Sequence, residues 1–103
     1  MSTLEVLVRA RKLIASKHHW ARGALARMKS GKKTDPDSRG AVRWCSVGAI
    51  ERSGASENIW CQVWAIDMLT RAMGTAPDHF NDHHTHAEVL AAFDVAIEAE
   101  RGK

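Results

Sequence analysis

The chain has 103 residues, 45% of them hydrophobic, and a formal charge of +3 that hides a split: residues 1–43 hold eleven of the fifteen Lys and Arg against three acids, residues 44–103 four against nine. This length suits a single domain, 1–103, built around one core, and the apolar content excludes a disordered tail. No apolar run approaches the roughly 20 residues of a membrane span, and Met1-Ser2-Thr3-Leu4-Glu5 lacks the regions of a signal peptide, so no membrane is expected as a partner and the expected compartment is cytoplasmic.

Ser2 followed by Glu5 fits a capping box, and Leu4, Leu7, Val8, Arg11 and Ile14 recur at helical spacing, which predicts a first helix from Thr3 to about Lys17. From Trp20 to Pro36, Gly23, Ser30-Gly31 and Asp35-Pro36 punctuate a stretch without helical period, read as an extended or hairpin-like excursion. Asp37 or Ser38 can cap a second helix reaching about Arg52, with Ala41, Trp44, Cys45, Gly48 and Ala49 on one face. Gly48 there calls for close approach of another backbone, since glycine inside a helix otherwise costs about 1 kcal/mol. Gly54 ends that helix and Ser56 can cap the next, Glu57 to Met73, whose apolar positions Ile59, Trp60, Val63, Trp64, Ile66, Leu69 and Met73 make it the expected central, most buried helix. After Gly74 and Pro77, a polar loop from Asp78 to His84 leads to Thr85 and Glu88, a clear capping box, and Val89, Leu90, Phe93, Ala96 and Ile97 form the stripe of a last helix to about Glu100. The expected fold is therefore all-α: a single small domain of about four helices with a basic excursion between the first two.

The run Arg9-Ala10-Arg11-Lys12-Leu13-Ile14, Trp20 with Gly23, Val42-Arg43-Trp44-Cys45 followed by Gly48-Ala49, and Asn81-Asp82 ahead of Thr85, Glu88, Val89 and Leu90 resemble the domain of unknown function 6197 family, an uncharacterised bacterial and phage family. The resemblance spans nearly the whole chain and implies no activity. Two positions depart from the family's pattern: Phe80 stands where relatives typically carry Trp, and His84 where they typically carry Arg.

No Gly-x-Ser-x-Gly elbow, phosphate-binding glycine loop or tyrosine is present, so an enzyme is not the expected reading, and no cofactor is expected. His79, His83, His84 and His86 with Asp78 and Asp82 concentrate six metal-capable side chains within nine residues. His79, His83 and His86 are the candidate ligands, but no Cys-x-x-Cys clip accompanies them, and ligands in a loop need a scaffold to converge, so the expected metal site is none. Asn81 and Asp82 read as turn formers that bond back to nearby backbone. Asp67 is the acid expected to be partly buried, paired with an Arg of the first helix or with Arg43. Cys45 and Cys61, each following a tryptophan, read as small core thiols.

Trp44, Trp60 and Trp64 are expected to pack together in the core, whereas Trp20, beside His18, His19 and Arg22, becomes an anchor if exposed. With Arg22, Arg27, Lys29, Lys32, Lys33, Arg39 and Arg43 nearby, the basic face is the main functional lead. The sequence reading is a non-enzymatic interaction module of a bacterium or mobile element that binds a protein partner with an acidic surface through Trp20, Arg22, Arg27, Lys29, Lys32 and Lys33. The alternative is sequence-tolerant nucleic-acid binding by the same patch. A third reading is a small metal protein or enzyme centred on Asn81, Asp82 and the histidines. The charge split is also compatible with a homo-oligomer.

Overall fold

The computed structural model describes residues 2–55 and 58–103. It corrects the all-α, four-helix expectation: these residues form five α-helices and a three-stranded antiparallel sheet. Helix α1, Thr3–Leu13, starts on Ser2, whose hydroxyl accepts from the Glu5 N–H at 3.2 Å. It stops four residues short of Lys17 because Ser16 diverts the chain into a 3-10 turn, Lys17–His19, by accepting from the His18 N–H. Leu7 and Ile14 point inward as expected, but Val6 and Ala10 complete the buried face while Val8 is exposed.

Residues 20–36, expected to be extended, supply β1, Ala26–Met28, and β2, Lys33–Thr34, joined through Gly31 at φ +90. The larger correction is β3, Ala41–Trp44, which pairs with the other side of β1 where a helix was expected. Ser38 closes a turn instead of capping: its N–H donates to the Asp35 carbonyl and its hydroxyl accepts from Gly40. The β-branched and aromatic run that follows finds an open strand edge on β1. Helix α2 is only Ser46–Ser53, and its cap is Cys45, whose Sγ accepts from the Gly48 N–H at 3.3 Å. Gly48 meets its expected neighbour: a Cβ there would lie 1.8 Å from the Leu25 carbonyl oxygen.

The proposed cap Ser56 and helix start Glu57 lie outside the described residues. Helix α3 is Ile59–Met73, capped by the Asn58 side chain on the Trp60 N–H and ended by Gly74 at φ +75. It is not the most buried helix. Ala65, Met68, Leu69 and Met73 enter the core, whereas Ile59, Trp60, Val63 and Trp64 face solvent. The expected loop is a further helix, α4, Pro77–His83: Pro77 begins it, where its missing N–H costs nothing. Helix α5, His86–Arg101, carries the expected reciprocal capping box, with Thr85 Oγ1 accepting from the Glu88 N–H and Glu88 Oε1 accepting from the Thr85 N–H. Val89, Phe93, Ala96 and Ile97 join Leu7, Ile14, Ile50 and Leu69 in a core where α1, α2, α3 and α5 meet.

Two consequences are measurable. By helix propensity alone Gly48→Ala would gain about 1 kcal/mol, but the clash with Leu25 reverses the sign, and urea unfolding should show a loss of about 2–3 kcal/mol. The bonds from Thr85, backbone first and hydroxyl second, hold the Glu88 carboxyl below its ordinary value. A depressed carboxylate stabilises the fold above its unfolded pKa and loses that contribution as pH falls through its folded pKa. Thermal melts from about pH 6 to about pH 3 should therefore fall less steeply for Glu88→Gln than for the parent chain.

Candidate functional site

Helix α4 carries Asn81 into the interior, where its amide joins two distant segments, residues 20–21 and Ser46. Asn81 Oδ1 accepts from Trp20 Nε1 at 2.7 Å, from Ser46 Oγ at 2.8 Å and from the Ser46 N–H at 3.1 Å. Its Nδ2 donates to the Ala21 carbonyl at 2.9 Å, and the neighbouring Asp82 Oδ1 accepts from the Gly23 N–H at 3.0 Å. Turn formation therefore does not account for this pair; both side chains reach about sixty residues back along the chain. Trp20, Gly23, Asn81 and Asp82, which carry the family resemblance, thus converge in one clasp. Asn81 is fully buried, and its donors and acceptor are spent on the fold.

The clasp removes Trp20 from the candidate contact set. Only 9% exposed, it lies beneath the Arg22 guanidinium at 4.8 Å and against the His86 ring. Arg22 also donates to the His84 carbonyl. Trp44 is likewise buried, its indole N–H on the Pro36 carbonyl, so the tryptophans divide into two buried and two exposed instead of forming one cluster.

Beside the clasp lies a concavity of about 230 Å³ lined by Gly23, Ala24, Leu25, Cys45, Asp78 and Asp82. Burial, the dominant influence, pushes the Cys45 thiol up despite the opposing bond from Gly48, so it stays protonated and a poor nucleophile at neutral pH. Cys45 and Cys61 are not bridged. The histidines do not converge. His83 Nδ1 donates to the His79 carbonyl and His84 Nδ1 to the Phe80 carbonyl, each one helical turn back, while His86 Nε2 turns away to the Ile14 carbonyl. Among the described residues no three His, Cys, Asp or Glu side chains are grouped to hold a metal ion. Phe80 and His84, the two departures from the family pattern, stack on each other with ring centroids 3.7 Å apart. Asp67 pairs within its own helix with Arg71 at 3.2 Å, while Arg11 of α1 takes Asp94.

The sheet organises the cations more tightly than their sequence positions imply. Lys33 lies opposite Arg27, and Arg27 opposite Arg43, so three positive side chains form one row across β2, β1 and β3. The opposite face of these strands turns Ala26 and Trp44 into the core. Like charges directly opposed across strands are destabilising. Arg27 is steadied by the carbonyls of Arg22 and Gly31, and Arg43 by that of His18. Among the described residues no carboxylate pairs with Lys29, Lys32, Lys33, Arg27 or Arg43. Of the six nominated contacts, Lys29, Lys32 and Lys33 are exposed with no partner for their charge, Arg22 and Arg27 are tethered to backbone, and Trp20 is internal.

Sequence reasoning missed the exposed face of α3. A usable signal was present: its apolar positions cover more than half the helix circumference, more than a peripheral helix of a small domain can bury.

Asn81→Leu keeps the volume but strands the Trp20 N–H, the Ser46 donors and the Ala21 carbonyl without partners. Urea unfolding followed by tryptophan fluorescence should show a loss of about 3 kcal/mol, against less than about 0.5 kcal/mol for Lys29→Ala at the surface.

No curated protein and no solved structure matches the chain. A family model does, over residues 1–99, a span that takes in the clasp, the Cys45 cap and the α5 capping box. This chain belongs to the family of unknown function DUF6197.

Proposed function

We propose that the chain is a non-enzymatic interaction module of a bacterium or mobile element, and that its cationic sheet face receives an acidic surface of a protein partner. The observation that carries this reading is the Lys33–Arg27–Arg43 row with its neighbours Lys29 and Lys32, which repel one another and meet no carboxylate within the described residues. An anionic partner relieves that repulsion, and opposed potentials speed and orient the encounter. Leu25, Met28 and Val42, exposed among the same strands and their flanks, favour a protein over a bare phosphate chain. Nucleic acid is the weaker reading because Trp20 offers no face for base stacking and the guanidinium groups of Arg22 and Arg27 are already engaged. The polar groups around Asn81 satisfy one another, which supports a structural role for them over a catalytic one.

Fluorescence anisotropy with a labelled oligoglutamate peptide and with labelled single- and double-stranded oligonucleotides, across a salt series, tests the assignment. The peptide is expected to bind more tightly, and Lys32→Glu with Lys33→Glu should weaken it at least about tenfold. Tighter oligonucleotide binding with a log-log salt slope of about −3 or steeper transfers the face to nucleic acid. Failure of both probes at low salt overturns the reading.

A further inference from the structure

The N-terminal half of α3 leaves four large apolar side chains in solvent: Ile59 is 66% exposed, Trp60 60%, Val63 43% and Trp64 55%. At about 100° per residue they share one side of the helix, opposite Ala65, Leu69 and Met73. Together they expose roughly 400–500 Å² of apolar surface, as much as the largest patch a monomer usually carries. None of the four side chains is charged. Farther along the same face, Asp67 and Arg71 neutralise each other at 3.2 Å.

Adjoining Trp64 is a concavity of about 280 Å³ between α3 and α5, with Met68 and Glu100 in its lining. Glu100 Oε2 is buried there and ion-paired to Lys103 Nζ at 3.1 Å. The indole N–H groups of Trp20 and Trp44 are satisfied within the fold, whereas those of Trp60 and Trp64 point to no acceptor among the described residues. Projecting indoles and an adjoining concavity thus lie on one surface.

We propose that a second copy of this chain covers this face, α3 against α3 across a two-fold axis, with Trp60 of each copy seated beside Trp64 of the other. A two-fold contact makes a surface meet itself, which a patch of like charges cannot do and a neutral one can. Two copies bring together roughly 800–1,000 Å² from these four side chains alone, close to the ~1,200 Å² at which specific interfaces begin and in keeping with weak association. The contact is separate from the cationic sheet, so a dimer displays two sheet faces and can engage a repeated acidic partner bivalently.

Sedimentation equilibrium of the full chain from about 1 to about 200 µM tests this, with tryptophan emission recorded over the same range. The expected result is a monomer–dimer equilibrium with a Kd in the micromolar range, about −8 kcal/mol or weaker, and a blue shift of emission as dimer forms. Trp60→Lys, at a site outside the core, should remain folded by circular dichroism and stay monomeric throughout. A parent chain that is monomeric at about 200 µM overturns the proposal and leaves the face to a different protein. A dimer that survives Trp60→Lys, or is abolished by Lys32→Glu with Lys33→Glu, also overturns it by placing the contact elsewhere.

Discussion

The Asn81 carboxamide is the point on which the arrangement depends. A primary amide has donors and an acceptor on adjacent atoms, so one side chain can hold the Trp20 indole and the Ser46 backbone on its oxygen and the Ala21 carbonyl on its nitrogen. Those contacts lock the segment entering the sheet to the start of α2 and to α4. Bulk solvent does not reach this fully buried site, so each partner relies on the amide for its hydrogen bond. Asp82, next along α4, extends the hold to Gly23, and the close approach of Leu25 to Gly48 seats the sheet on α2.

This clasp decides what the rest of the surface can do. By drawing Trp20 inward it takes the aromatic out of the basic region and leaves a face defined by charge. By fixing the path from residue 20 to residue 26 it sets the register in which Lys33, Arg27 and Arg43 align across three strands. A row of like charges is tolerated because backbone carbonyls steady the two arginines, while the lysines at the hairpin end remain available. Among the polar residues most suggestive of chemistry, Asn81, Asp82 and His86 make bonds that join distant segments, and Cys45 caps α2.

The same economy of core residues produces the apolar face of α3. The core is filled by Leu7, Ile14, Ile50, Leu69, Val89 and Phe93, and a domain of this size has no interior volume left for two further indoles. Trp60 and Trp64 are therefore surplus to the monomer's packing. A cationic sheet and an apolar helix face give the chain two chemically different surfaces on one small scaffold.

The parts of this protein that its sequence determined by itself are those made by residues a few positions apart. The Ser2 and Thr85–Glu88 caps, the Gly74 stop, the amphipathic stripe of α5 and the charge split all follow from local spacing. Even the need for a close neighbour at Gly48 was legible, though not that the neighbour is Leu25. Tertiary structure decided the rest, because the deciding partners are far away in the chain. Ala41–Trp44 reads as helix until β1 offers an edge to pair with, and Asp78–His83 reads as loop until Pro77 is seen to open a helix that packs against α2 and α3. Nor does periodicity say which part of the broad apolar face of α3 is buried, since that depends on how much core α1 and α5 have already filled. The Asn81 clasp was the least legible feature of all. Asparagine beside aspartate looks locally like a turn, and only the folded chain brings Trp20, Ala21 and Ser46 to its amide.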